Sequence, residues 1–317
     1  MYVCTVFTTP LSPCLCLALY AERAFLIEWL DPTGLENYLV PKSFNWADVT
    51  PIQHLKRGKA HDIGSWKAAK ENGKSSQWYM DEDFSKYFKN PVEVIQGPRY
   101  DYTYAILRNP GLMPKAYELG IDRVKCRVCC AWDMLFKTEP KFEEEVNKLM
   151  RSLGYPVRPV VAVQARVKSD DVQKSVTAVE HYLNCAQKAS KELKFKTPIY
   201  IPILNNRLVV HILQKKYFRI MKTPIEIETA TRTVHTHLGN LPSDTEQEVV
   251  LGVQERTFKE FFLMLNSTLL VRAKGHLGSF GNVADAIRRH YGKPGTVYTY
   301  TSGGSSCALF PDGAKIE

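Results

Sequence analysis

The chain has 317 residues, 44% hydrophobic and 24% charged, with a formal net charge of +9. That composition excludes a disordered chain, which would lack the apolar content for a core, and the length suits two domains of about 150 residues each. The cationic excess favours anionic partners such as nucleotides, acidic glycans or a membrane surface, whereas the lack of any arginine-rich tract or RNA-binding motif argues against nucleic acid.

The opening residues, MYVCTVFTTPLSPCLCLALY, are apolar, but no basic region leads them and Pro10 and Pro13 interrupt the run. Neither a signal peptide nor an uninterrupted membrane span of ~18 residues is read there. A helix is expected around Cys14 to Arg23, then a buried strand from Ala24 to Trp29 and a turn at DPTG. From Pro41 to about Gly97 apolar periodicity fades, and loops laid over a scaffold are expected. The aromatics Trp46, Trp66, Trp78, Tyr79, Tyr100, Tyr102 and Tyr104 would either fill a core, the commoner fate of Trp and Tyr, or stack on sugar rings.

The eight cysteines are Cys4, Cys14, Cys16, Cys126, Cys129, Cys130, Cys185 and Cys307. CRVCC has C-x-x-C spacing, but a structural zinc site needs four ligands and no second Cys/His pair stands nearby, so no metal is expected. Disulfides remain open, since an even count in so long a chain does not require them.

Order improves from Pro140 onward. Helices are expected over Phe142–Leu153, Asp171–Leu193, Leu208–Phe218, Gln247–Asn266 and Phe280–His290, and strands over Val160–Arg166, Ile199–Leu204, Ile225–Val234 and Leu269–Ala273. Strand and helix alternate with short links, the pattern of a parallel sheet of nucleotide-binding type.

Two links in this half carry groups suited to anions. The apolar strand PVVAVQARVKSDD ends on Gln164, Arg166 and Lys168, at the carboxyl end where open α/β sheets bind ligands. Arg166 offers a planar fork of donors that matches two phosphate oxygens, or it pairs with a carboxylate and closes the strand. Asp170 and Asp171 follow, as helix N-caps or as a general base. The second link, KGHLGSFGNVADAI, has Gly275, Gly278 and Gly281 around Ser279 at a helix start, where backbone N–H groups and a hydroxyl would face an anion or where Ser279 would simply cap the helix. Its GxxGxxG spacing is not the dinucleotide fingerprint, and no Gly-rich first turn with an acidic residue about twenty positions on points to NAD or a methyl donor.

Three blocks carry a resemblance. CCAWDMLFKTEP followed by VVAVQARV, the opening LALYAERAFLIEWLDP, and the closing EFFLMLNSTLLVRAKGHLGSFGNVADAI resemble, in the same order, motifs of the fucosyltransferases that act from GDP-fucose, notably the branch with plant xyloglucan enzymes and related invertebrate proteins. The stretch from about Pro41 to Gly120 carries none of that likeness. The resemblance implies an α/β, GT-B-like fold of two Rossmann-like domains, the C-terminal one a parallel sheet with flanking helices. It further implies an irregular acceptor-side domain over 1–157, a nucleotide-sugar domain over 158–305 and a tail over 306–317.

On the same grounds GDP-fucose is the expected donor and a glycan the acceptor, with inversion at the anomeric carbon and no cofactor or metal. Arg166 would hold the β-phosphate, with Gln164 and Lys168 beside it. Ser279, after Gly278 and with the amides of Phe280 and Gly281, would hold the pyrophosphate from the other side. Glu260 would accept from guanine N1–H and the exocyclic amine, or stand as an exposed helix carboxylate. His235 would sit near the nucleotide or be structural.

The family's Gly-rich loop ahead of the opening helix is not among these residues, nor is its Golgi membrane anchor. Asn205 and Asn206 stand where relatives have a Thr/Ser-Asp pair. The chain therefore reads as an N-terminally shortened member of a Golgi family. Its alternative is a non-catalytic GDP-sugar- or glycan-binding pseudoenzyme of the same fold.

Overall fold

The computed structural model describes residues 2–5, 12–28, 34–48, 50, 54–55, 61–62, 76–87, 89–96, 103–165, 171–204, 207–217, 219–222, 247–273, 280–293, 296–299 and 307–309. They form two compact units, Met1–Glu139 with Leu277–Ala286, and Pro140–His276 with Ile287–Glu317.

The first unit contains a parallel four-stranded sheet. Its strands are β1 (Tyr2–Thr5), β2 (Phe25–Glu28), β4 (His61–Asp62) and β5 (Glu93–Gln96), in the order β2-β1-β5-β4. The apolar start of the chain is thus an inner strand followed by helix α1 (Ser12–Tyr20). Pro13 does not break this helix, because a first-turn residue has no intrahelical acceptor for the N–H that proline lacks. Strands β4 and β5 and the helix α2 (Ser76–Asp81) fall where the sequence reads as loops. Strands of two to four residues are too short to display an alternating pattern, and a parallel sheet pairs segments remote in sequence.

Core packing explains most of the described aromatics in this unit. Trp46 is wholly buried; its indole N–H donates to the carbonyl of Leu135 at 2.5 Å, and its ring meets Phe136 edge-on at 5.3 Å. Leu135 ends α5 (Arg127–Leu135), and Phe136 begins β6 (Phe136–Thr138), antiparallel to β3 (Leu39–Pro41). Tyr79 is also fully buried, with Trp78 edge-on to it at 4.8 Å. Tyr104, at 47% exposure, stacks under the Arg108 guanidinium within helix and turn. Trp66, Tyr100 and Tyr102 lie outside the described residues. Cys126 and Cys129 of the CRVCC cluster form a disulfide and Cys130 is free and exposed.

The second unit is built on a five-stranded sheet of β7 (Val160–Ala165), β8 (Ile199–Leu204), β9 (Leu269–Ala273), β10 (Thr296–Thr299) and β11 (Cys307–Leu309). The order is β11-β10-β9-β7-β8, parallel except for the antiparallel edge pair β10–β11. Val160, Val161, Ala162 and Val163 are all fully buried, as expected of a central parallel strand covered on both faces. Each of the valines contributes on the order of 1.5–3 kcal/mol by burial.

Helix α6 (Pro140–Ser152) buries Phe142, Val146 and Met150, a stripe at helical spacing, and ends before Gly154, whose φ of 94° suits glycine. Helix α7 (Val172–Glu192) lays Val176, Val179, Leu183 and Ala186 on one face of the sheet together with Val209, Val210 and Leu213 of α8 (Arg207–Lys216). Helix α9 (Gln247–Asn266) meets α6 through an edge-on contact of Phe262 with Phe142 at 5.6 Å. Helix α6 falls in the second compact unit, which begins at Pro140. The stretch expected as a tail likewise supplies β11, tied to α7 by a disulfide between Cys307 and Cys185 that closes a separation of 122 residues. By chain entropy such a tie is worth up to about 5 kcal/mol. The expected strand Ile225–Val234 lies outside the described residues.

Candidate functional site at the carboxyl edge of the second sheet

The connections of the second sheet reverse direction between β7 and β9. From β7 the chain runs through α7 to β8 on one side, and it later returns as β9 on the other side of β7. Such a switch leaves a crevice at the carboxyl ends of the two strands, because the flanking connections diverge there. The link following β7 holds Arg166, Lys168 and Asp170, and the link following β9 leads to Gly278 and Ser279; residues 166–170 and 274–279 themselves lie outside the described residues. Adjacent strands thus bring the origins of both links together, although more than a hundred residues separate them in sequence.

Two described side chains stand at that edge. Gln164 pairs in register with Ile203 on one side and Arg272 on the other. Register partners on parallel strands share a face, so the Gln164 amide and the Arg272 guanidinium project to the same side of the sheet. Gln164 is half-buried and Arg272 is 4% exposed. Arg272 was not among the residues the sequence singled out. Its signal is there, as a lone cation within the apolar strand LLVRA, which an interior strand accepts only where the charge has something to hold.

Asp171 is the N-cap of α7. Its Oδ1 accepts from the Lys174 backbone N–H at 3.1 Å, and its Oδ2 lies 3.6 Å from the Lys174 ammonium. Phe280 and Gly281 form the first turn of α10 (Phe280–His290), with Gly281 buried. His235 falls outside the described residues.

Glu260 is not the exposed helix carboxylate that its neighbours in sequence suggest. It is buried on α9, and its Oε1 accepts from the Arg256 guanidinium at 2.8 Å, one turn earlier. Burial pushes its pKa up, against the opposing pull of Arg256. Glu255, earlier on the same helix, is exposed and pairs with Lys259.

No family model and no curated protein matches this sequence. Solved structures do. A mutant of Arabidopsis thaliana FUT1 in complex with GDP superimposes with a TM-score of 0.60 at 14% identity, covering 97% of this chain and 73% of that one. NodZ α-1,6-fucosyltransferase soaked with GDP-fucose aligns with a TM-score of 0.56 at 11% identity, over 98% of this chain and 99% of that one. NodZ from Bradyrhizobium gives the same values.

The chain shares the fold of these solved fucosyltransferases.

That fold, α/β and GT-B-like, accounts for both units, including the part of the first unit where the sequence carries no recognisable motif. Among the described residues, no helix is long and apolar enough to cross a membrane.

Proposed function

We propose that this protein is a glycosyltransferase that moves L-fucose from GDP-fucose to a glycan acceptor with inversion at the anomeric carbon. The observation that carries this reading is a fucosyltransferase fold spanning nearly the whole chain. Support comes from the cation-bearing link that leaves the sheet at its topological switch.

In this reading the acceptor oxygen forms its bond to the anomeric carbon as the bond from that carbon to the β-phosphate oxygen breaks, and GDP departs with the bonding pair. Negative charge grows on the diphosphate, so the donors aimed at it carry the catalysis. Arg166 takes the β-phosphate, with Lys168 and Gln164 beside it, and Ser279 with the Phe280 and Gly281 amides takes the pyrophosphate from the link that follows Gly278. His235 serves the nucleoside end; the Glu260 carboxylate, expected there too, is buried and engaged by Arg256. The acceptor hydroxyl proton goes to a carboxylate, and Asp170 is the better candidate because the Asp171 carboxylate is engaged as a helix cap. The reading calls on no metal, since cationic side chains neutralise the leaving group. A Golgi setting goes with it, and the disulfides Cys126–Cys129 and Cys185–Cys307 suit an oxidising lumen.

The test is calorimetric titration with GDP, GMP and ADP, followed by assay of GDP release from GDP-fucose with and without a panel of glycans. Preference for GDP together with acceptor-stimulated release supports the proposal. Binding of GDP without release supports the non-catalytic alternative, and no binding at millimolar GDP removes both.

A further inference from the structure

On the face of the sheet covered by α7, that helix and the edge strand β11 bring together three groups to which the transferase reading gives no part in binding the donor. His181 and Cys185 are one turn apart on the same face of α7, with the His181 Nε2 3.8 Å from the Cys185 sulfur, and Cys307 of β11 faces the same spot. The three donor atoms all lie within 4.8 Å of one another. Tetrahedral zinc with bonds of about 2.3 Å to sulfur and about 2.1 Å to nitrogen sets its donors roughly 3.6–3.8 Å apart. The His181–Cys185 spacing already meets that requirement. Cys185 is buried, whereas His181 and Cys307 are half-exposed, which leaves solvent a path to a fourth position.

We propose that His181, Cys185 and Cys307 form a soft-metal site that the Cys185–Cys307 disulfide closes and thiol reduction opens. In the oxidised protein the sulfurs are bonded to each other and offer no thiolate. Exchange with a dithiol reverses this: the dithiol becomes a disulfide, its two hydrogens pass to the Cys185 and Cys307 sulfurs, and the sulfurs relax to non-bonded separation. Zinc then displaces both thiol protons, takes the neutral His181 imidazole as third ligand and keeps water as the fourth. Either state ties β11 to α7, by a covalent bond in one and through the metal in the other, so the edge of the sheet stays anchored across a change of redox conditions. Cys307 stands in register with Thr299 and Ala273 at the carboxyl ends of β10 and β9, but on the edge strand β11, two strands from β9, and none of the three residues is one that the nucleotide-sugar reading assigns to the donor.

The experiment reduces the folded full-length protein with a dithiol, removes the reductant, and adds Zn2+ alone. Alkylation is then followed residue by residue by mass spectrometry, which separates Cys185 and Cys307 from the CRVCC cysteines. Zn2+ should protect Cys185 and Cys307 together and raise the melting temperature of the reduced protein. His181→Ala should weaken that protection by at least about tenfold, since even outer-shell partners of metal ligands cost 10–100-fold. Co2+ in place of Zn2+ should give the thiolate charge-transfer absorption, diminished in His181→Ala. Equal alkylation with and without Zn2+, protection unchanged in His181→Ala, or a disulfide that resists the dithiol in the folded protein would each overturn the proposal.

Discussion

Gln164 and Arg272 are register partners on neighbouring parallel strands, on one face of the sheet, at the boundary where the strand order reverses. Their strands end within one residue of each other in that register, so the links after Ala165 and Ala273 start side by side. If the link after β7 binds a diphosphate, Arg166→Ala should weaken GDP binding by about 1.5–3 kcal/mol, the value of a charged hydrogen bond. Gln164→Ala, which removes a neutral donor, should cost about 0.5–1.5 kcal/mol. Calorimetry on both variants checks the order, and a GDP affinity indifferent to Arg166→Ala removes Arg166 from the site.

Asp170 and Asp171 should separate by function. Asp171→Ala should lower stability by about 1 kcal/mol, the usual loss for an N-cap, and Asp171→Asn should restore most of it, since asparagine caps as well as aspartate. Asp170→Asn should leave urea denaturation unchanged and depress turnover. Paired denaturation and product-formation measurements decide; a loss of turnover in Asp171→Asn with Asp170→Asn active would exchange the two roles.

Glu260 gives the fold a pH signature. Its pKa is raised by burial from the ordinary 4.5, so the folded protein holds this proton at pH values where the unfolded chain has released it. The contribution is therefore fully present below about pH 4.5 and lost as pH rises through the higher folded value, at about 1.4 kcal/mol per unit of difference. Glu260→Gln lacks this loss. The stability of the wild type relative to Glu260→Gln should accordingly fall as pH rises from 4.5 toward neutrality; a constant difference across urea melts in that range would contradict it.

Arg288 closes the end of α9. Fully buried on α10, its guanidinium donates to the carbonyls of Met264, Leu265, Ser267 and Thr268 and to the Ser267 hydroxyl, the last turn of α9 and the start of β9. Lys293 adds a bond to the Leu265 carbonyl at 2.7 Å. The Met264 and Leu265 carbonyls lie in the last turn of the helix, where no intrahelical N–H reaches them, and Ser267 and Thr268 follow it. Arg288→Met keeps the volume and strands several buried acceptors, at a cost of about 3 kcal/mol or more. Arg288→Lys should recover only part of this, because an ammonium cannot span the fork of acceptors. Chemical denaturation of the two variants reads the difference.

The second unit was legible because long elements display their periodicity. Ile199–Leu204, Gln247–Asn266 and Leu269–Ala273 occupy the spans their apolar patterns predict, as does Phe280–His290, which is divided between the two units. In the first unit the expected helix around Cys14–Arg23 and strand Ala24–Trp29 stand as α1 and β2, whereas β1, β4 and β5 were not legible, since they have at most four residues each and owe their conformation to partners elsewhere in the chain. The aromatics show the same limit. For Trp46 the sequence favours core but leaves a sugar platform open, until its indole is seen to donate to the Leu135 carbonyl.

What the sequence by itself determined is the run of strand, cation-bearing link and capped helix around Arg166, the alternation that demands a parallel sheet, and three motif blocks in a telling order. These are local properties, written in side-chain period and turn chemistry. Tertiary structure alone decided that β7 and β9 are neighbours, that Arg272 stands beside Gln164, that Glu260 is buried against Arg256, and that Cys185 and Cys307 meet. Each of these joins or buries groups according to how helices and strands pack, and packing is set by surfaces that only exist once the elements have formed.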